Sequence, residues 1–288
     1  MNYKRMIKNM NILVIKKTNI KNSDLNKLTI LLKKKKCSFD IVDYNEVEEF
    51  YSLIHKKDFK NTYDILLSFG GDGTILKAAR VARKLDIPIL GINVGTVGFL
   101  TSVYNLKQLN TYFEKLLNGE FLYEDRYMLC IDVYRKEKSI FKSYAVNEAT
   151  LTSYNLRKMG KYDVRIGNIE NEFNEYRADG LIVSSPTGST AHSLSAGGPI
   201  VEPSVNCFIL TAICPHAFNE RSIIISDKKI VFIKILDEGQ LVDIDGRIEY
   251  SLNTDDVVKI SKLKKPVRYI VFDTNNFLNN IKCKIRNI

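Results

Sequence analysis

Gly70-Gly71-Asp72-Gly73-Thr74 sets one carboxylate among bare backbone amides, a combination able to hold a phosphate and handle a proton at one spot. Glycine leaves N–H groups unshielded. Where a glycine turn opens a helix, the positive end of the helix dipole adds to their attraction for an anion. A turn built only to hold phosphate has no use for a negative charge at its centre; one that must also orient a hydroxyl, or take its proton, does. The same residues are also ordinary turn chemistry, with glycine supplying positive φ and Asp bonding its own backbone. Taken alone the run leaves both readings open.

The flanking residues place this turn. Tyr63–Phe69 is short and apolar and predicts a buried strand. Ile75, Leu76, Ala78, Ala79, Val81, Ala82 and Leu85 follow at helical spacing, and Ile87–Ile92 predicts the next strand. A hairpin, the other habit of Asp-Gly, is excluded by the helical pattern after it. Neither the Gly-x-x-x-x-Gly-Lys-Ser/Thr phosphate loop nor a Gly-x-Gly-x-x-Gly dinucleotide fingerprint occurs; Gly91, Gly95 and Gly98 are wrongly spaced for the latter.

A second constellation runs from Arg177 through Asp179-Gly180, the apolar Leu181–Val183, and the hydroxyl-rich Ser184–Ser195 to Gly197-Gly198-Pro199. It reads as strand, glycine turn and helix. So many small hydroxyl residues suit a loop that hydrogen-bonds a ribose, an amide or phosphate oxygens, held between apolar anchors. A third element, Asn147-Glu148, stands at the end of the expected strand Phe141–Val146 and gains weight only in company.

With 288 residues, 45% hydrophobic and 26% charged, the chain has room for two modest domains. The net charge of +10 comes from scattered lysines and a cluster at Lys33–Lys36, without arginine–aromatic interleaving. It therefore predicts no nucleic-acid partner, and suits polyanionic small substrates instead. Five cysteines (Cys37, Cys130, Cys207, Cys214, Cys283) form no Cys-x-x-Cys pair, and His55, His192 and His216 are dispersed. That argues against a disulfide scaffold and a zinc site, and for a reducing, cytoplasmic location. The uncharged stretch Ile87–Leu106 contains Pro88, Asn93, Thr96, Thr101, Ser102 and three glycines, which reads as buried strand and polar loop, not a membrane span.

Strands and helices alternate up to a helix near Asn105–Asn118, predicting an α/β domain with an open, Rossmann-like parallel sheet over residues 1–125. From Arg126 the segments Met128–Tyr134, Phe141–Asn147, Tyr162–Ile166, Leu181–Ser184, Cys207–Ile213, Lys229–Ile235 and Gln240–Ile244 are short and β-branched, predicting a mainly β domain over 126–266.

Gly70–Thr74, then Asn93–Thr101, Asn147-Glu148 and Asp179–Pro199, in that order, resemble the NAD kinase family. Pro215-His216, Arg221 and Asp245-Gly246 look like further family positions. Ser185-Pro186-Thr187-Gly188-Ser189-Thr190-Ala191 is the more specific signature, since diacylglycerol and sphingosine kinases resemble the first motif too. The resemblance implies transfer of a phosphate from ATP, with a divalent metal, Mg²⁺, to the adenosine ribose 2′-hydroxyl of NAD, giving NADP. It also implies a C-terminal segment, 267–288, that returns to the first domain. The subunits would form a homo-oligomer, commonly a tetramer, with the site near a subunit contact.

By carry-over, Asp72 matches the catalytic base, while Gly70, Gly71, Gly73 and Thr74 form the phosphate loop. Asn147, Glu148 and Asp179 would bind hydroxyl and amino groups of NAD, and Thr190, Ala191, His192, Ser193, Leu194 and Ser195 match the dinucleotide-contacting stretch. Lys158 stands where the family has a basic or His contact. Arg177 is of the type associated with NAD over NADH. No metal ligand is assigned to the protein. Two departures stand out: His192 replaces a usual Tyr, and Arg247 follows Asp245-Gly246 where Gln is frequent, so neither role is copied over. The alternatives are a diacylglycerol-type lipid kinase, for which the Ser184–Ser195 hydroxyls are a poor acyl lining, and a non-catalytic nucleotide-binding regulator, which would have no need of Asp72.

Overall fold

The computed structural model describes residues 9–56, 59–95, 98–155, 158–167, 174–273, 277, 278, 281 and 282. Thr96 and Val97 of the second glycine run, Cys283 and much of the expected returning segment lie outside them. The chain divides into two compact units, Met1–Asp125 with Val267–Ile288, and Arg126–Pro266.

In the first unit β1 (Asn11–Lys16), α1 (Asn22–Lys34), β2 (Ser38–Asp43), α2 (Val47–Leu53), β3 (Ile65–Gly70), α3 (Asp72–Leu85), β4 (Ile89–Asn93), α4 (Leu109–Leu117) and β5 (Leu122–Arg126) follow in order. The second unit carries β6 (Leu129–Arg135), β7 (Lys138–Ala145), β8 (Glu148–Ser153), β9 (Gly160–Ile166), β10 (Asn174–Ser184), the one-turn helix α5 (His192–Ser195), β11 (Cys207–Pro215), β12 (Ile223–Ser226), β13 (Val231–Ile235), β14 (Gln240–Ile244), β15 (Ile248–Leu252) and β16 (Val257–Lys262). The chain then adds β17 (Val267–Val271) to the first sheet.

That first sheet has the order β2-β1-β3-β4-β17-β5, and β1 runs parallel to β2 and β3, as β4 does to β3 and β17. Every residue of β3 and β4 is buried, as expected for parallel strands covered on both faces. Ile12 and Val14 of β1, Ile65, Leu67 and Phe69 of β3, and Leu90 and Ile92 of β4 pack with Leu28 and Leu32 of α1 and Phe113 and Leu116 of α4. Helix α3 lies on the other face, burying Ile75, Ala78, Ala79 and Ala82 at spacings of three and four; Ile75 reaches Gly91 of β4.

The second unit is an eleven-stranded antiparallel sheet with the path β15-β14-β8-β10-β9-β13-β16-β6-β7; β11 pairs with both β10 and β12. Its core is built from inward residues such as Leu129, Ile131, Leu151, Tyr162, Leu181, Val183, Ile233, Val242 and Ile260. The sequence reading lacked β5, β8, β12, β15 and β16, and of these β8 bears on the candidate site. Asn147 and Glu148 do not close a single strand; Asn147 lies in the turn between β7 and β8, and Glu148 is the first residue of β8. The helix expected after Gly188 is shorter than its pattern: a 3₁₀ turn over Thr187–Thr190, then α5. Among the described residues no helix is long and apolar enough to cross a membrane, and Cys37, Cys130, Cys207 and Cys214 are free.

Candidate active site

In the first unit, β3 ends at Gly70, Gly71 is the extended N-cap residue, and α3 begins at Asp72. The first amides of a 14-residue helix therefore open where two glycines leave them uncovered. A cavity of about 460 Å³ lies there, lined by Gly71, Gly73, Thr74, Lys17, Thr18 and Asn45 among others. Lys17 was not visible as a site residue in a lysine-rich N-terminal third. The parallel register, with Lys16 opposite Phe69, and the bond from Lys17 N–H to the Phe69 carbonyl (2.9 Å) bring it beside the glycine turn. Its position just past the carboxyl end of β1 is the available signal, because open α/β sheets bind ligands at that edge.

The Asp72 carboxylate accepts the backbone N–H of Phe99 at 2.8 Å and of Leu100 at 3.0 Å, one on each oxygen. The loop approaches so closely that a Cβ on Gly98 would stand 2.1 Å from Asp72 Oδ1. Asp72 thus fixes the loop after β4 and is itself fixed by it. On the same stretch, Asn93 Oδ1 accepts the N–H of Gly95 at 2.8 Å.

In the second unit the Asn147–Glu148 junction is organised by Asp245. This residue, at φ +54°, accepts the backbone N–H groups of Val146 (2.9 Å), Asn147 (2.8 Å) and Glu148 (3.2 Å) on its carboxylate. Its own N–H returns a bond to the Glu148 carbonyl at 3.1 Å. Burial pushes the Asp245 carboxyl up to about 6, against the opposing pull of those three N–H donors and of Arg247. Glu148 is 6% exposed, and its Oε2 has no hydrogen-bond partner among the described residues. Burial, then the charges of Asp245 and Asp243, push its carboxyl up to about 8, while the His192 backbone N–H works the other way. Burial also raises Asp243, despite the Gly246 N–H, His192 and Arg247. Asn147, Glu148, His192 and Arg247 are thereby brought together around Asp243 and Asp245.

The hydroxyl-rich loop differs from its expected use. Ser185 Oγ donates to the Val146 carbonyl (2.6 Å), Ser189 Oγ to the Val201 carbonyl (3.0 Å), and the buried Ser193 Oγ meets Thr211 Oγ1 (3.3 Å). These side-chain bonds tie the loop to Val146, Val201 and Thr211. The sequence showed small polar residues but not which way they pointed. His192 and Ser195 are exposed, and Thr190, Ala191 and Leu194 half-buried.

Three candidates lie at the other end of β8. In the register, Ser184 stands opposite Glu148 and Gly180 opposite Thr152, which places Asp179 and Arg177 toward the Ser153 end. Both are exposed. Lys158, also past that end, pairs with Asp237 at 3.9 Å. The Glu148 and Asp179 groups are therefore separated by the length of a six-residue strand, about 17 Å at 3.4 Å per residue.

Residues 1–121 match the model of the ATP-NAD kinase N-terminal domain, and residues 146–272 that of the ATP-NAD kinase C-terminal domain. The NAD kinase of Sulfurimonas denitrificans is 37% identical over 230 residues, covering 80% of each chain. That of Moorella thermoacetica is 39% identical over 223 residues, covering 77% of this chain and 70% of its own. A crystal structure of an NAD kinase from Archaeoglobus fulgidus in complex with ATP superposes with a TM-score of 0.75 at 26% identity, over 97% of this chain and all of that one. Yeast NADH kinase complexed with NADH shares the fold, with a TM-score of 0.80 at 23% identity, over 97% of this chain and 88% of that one. The chain belongs to the ATP-NAD kinase family.

Proposed function

We propose that the chain, a kinase acting on NAD by family, moves the γ-phosphate of ATP to the adenosine ribose 2′-hydroxyl of NAD, with Asp72 handling the hydroxyl proton. The observation that carries this assignment is the cavity at the start of α3, lined by Gly71, Gly73, Thr74 and the exposed Lys17, at the helix end that Asp72 opens as its first residue. Amides and ammonium suit the negative oxygens of a triphosphate, and the carboxylate suits the acceptor hydroxyl.

Phosphoryl transfer passes through a loose transition state, so positioning and charge neutralisation do most of the catalysis. Gly70, Gly71, Gly73 and Thr74 cradle the phosphates, and Lys17 balances charge that shifts onto the leaving ADP oxygens. The bond from the γ-phosphorus to the β–γ bridging oxygen breaks as the ribose oxygen bonds to phosphorus. The hydroxyl proton passes to the carboxylate of Asp72 and from there to solvent. Two N–H bonds from Phe99 and Leu100 hold that carboxylate to one orientation, which is what a proton acceptor of fixed geometry needs.

A divalent metal, Mg²⁺, enters as part of the ATP substrate. Among the described residues no three His, Cys, Asp or Glu side chains converge as a protein-built metal site requires. Magnesium is commonly held by substrate phosphates and water, with few protein ligands.

The acceptor NAD is assigned to Asn147 and Glu148 at one end of β8 and to Asp179, Arg177 and Lys158 at the other. Thr190, Ala191, His192, Leu194, Ser195 and Arg247 would border the first group, with Ser193 contributing backbone alone. A homo-oligomer, tetrameric as is common in the family, and a cytoplasmic location complete the proposal; sedimentation velocity tests the former.

The experiment is to incubate the purified protein with ATP and Mg²⁺ and either NAD or diacylglycerol. NADP from the first mixture alone is the expected outcome; phosphatidic acid from the second, or no product from either, overturns it.

A further inference from the structure

The Val146–Glu148 turn is held from two sides by residues to which no substrate contact is assigned. From β14 comes Asp245, whose carboxylate takes three consecutive N–H groups and whose own N–H bonds the Glu148 carbonyl. Strand pairing between β8 and β14 ends at Ala149 opposite Ile244. Asp245 therefore extends that ladder by one backbone bond and then by its side chain. It does so at φ +54°, with Gly246 at +66°, and its carboxylate remains among those donors at the expense of being partly desolvated.

From the hydroxyl loop comes Ser185, 2% exposed. Its N–H donates to the Asn147 carbonyl (2.8 Å), its Oγ donates to the Val146 carbonyl (2.6 Å), and its Oγ also accepts the N–H of Gly188 (3.2 Å). The fit is close: a Cβ on Gly188 would stand 2.3 Å from the Asn147 carbonyl oxygen. Donors and acceptors of Val146 and Asn147 are thus consumed by Asp245 and Ser185. By contrast, the Asn147 side chain makes no hydrogen bond among the described residues, and Glu148 keeps an unpartnered oxygen. A backbone this constrained, carrying side chains this unoccupied, is the arrangement of a preorganised binding pair.

We propose that Asp245 and Ser185 are positioning residues for the NAD half of the reaction. They set the backbone of Val146–Glu148 and so fix where the Asn147 amide and the Glu148 carboxyl meet the substrate. The proposal rests on the reading that Asn147 and Glu148 contact NAD.

Steady-state kinetics with ATP and NAD varied separately test this on four full-length variants, Asp245→Asn, Asp245→Ala, Ser185→Ala and Asn147→Ala. Asp245→Asn keeps one acceptor oxygen, but its amide group opposes an N–H donor. Asp245→Ala removes all three bonds. The KM for NAD is expected to rise about tenfold in Ser185→Ala and Asp245→Asn, and further in Asp245→Ala, with the KM for ATP within about twofold of wild type. A merely structural role would not separate the two substrates. Should the Asp245 variants fail to fold, Ser185→Ala, which loses one side-chain hydroxyl, decides alone. If Asn147→Ala raises the KM for NAD while Ser185→Ala and any folded Asp245 variant do not, the positioning role is wrong and the NAD assignment stands. Should Asn147→Ala leave the KM for NAD unchanged, the assignment falls and the proposal with it. Equal rises for ATP and NAD overturn the positioning role as well.

Discussion

At the scale of single residues, the Asp72 carboxylate holds the loop after β4, and the proposed function gives it the hydroxyl proton as well. The sequence offered turn chemistry and a proton acceptor as competing readings; in the structure Asp72 accepts the amides of Phe99 and Leu100 from a distant loop, not its own turn, and Gly70, Gly71 and Gly73 do not take positive φ. Asp72→Asn is therefore not a pure removal of basicity, because one face of the new amide meets an N–H it cannot accept. The expected result is a fall in kcat of about 10²–10⁴-fold, the range of a positioned acid or base, with a modest loss of stability. Turnover near wild type, measured alongside thermal unfolding, would leave Asp72 as a loop staple. Lys17 is the complementary donor-side residue. Lys17→Ala should raise the KM for ATP about tenfold and leave that for NAD unchanged, as expected for losing one charge-assisted contact; a rise for NAD alone would take Lys17 out of the donor site.

At the scale of elements, the decisive strand is β8, and its titratable end makes a checkable prediction. Burial and two neighbouring carboxylates lift Glu148 from 4.5 to about 8. A carboxyl whose folded value is raised favours the folded state fully below about 4.5, and that contribution is lost as pH rises through about 8. Asp245, raised from 3.8 to about 6, acts in the same direction over a lower window. Glu148→Gln stays neutral at every pH. Its thermal midpoint should exceed that of wild type at pH 8 by at least about 3 °C, with the difference vanishing near pH 4.5. Parallel stability curves for the two proteins would contradict it. Strands with apolar runs were legible, as at Tyr63–Phe69 and Ile87–Ile92, and α3 because its apolar residues repeat at helical spacing. Strand β8 was not, because Glu148-Ala-Thr-Leu-Thr-Ser is polar at four of its six positions yet buried at all but Thr152. Sequence pattern reports polarity, whereas a strand flanked by β14 and β10 is buried by its neighbours. The hydroxyl loop misled in a related way: Ser185, Ser189 and Ser193 were readable as polar, but their bonds to Val146, Val201 and Thr211 come from tertiary packing.

At the scale of the molecule, the proposed function gives the two units the two halves of one reaction: phosphate chemistry to the parallel sheet, and acceptor recognition to the antiparallel one. The division follows from what each architecture offers. Parallel strands feeding helices create helix N-termini ringed by amides, suited to anions. An antiparallel sheet ends in turns whose backbone can be pinned by a neighbouring side chain, as Asp245 pins the N–H groups of Asn147 and Glu148. The central claim is that the γ-phosphate of ATP ends on the 2′-hydroxyl of the adenosine ribose. Its most direct test is to supply ATP labelled in the γ-phosphorus together with NAD and Mg²⁺, and to locate the label in the product by phosphorus NMR. The account predicts all transferred label in a 2′-phosphomonoester of NAD, with ADP as the other product. Label on the 3′-oxygen, or released as inorganic phosphate with NAD unchanged, would contradict it.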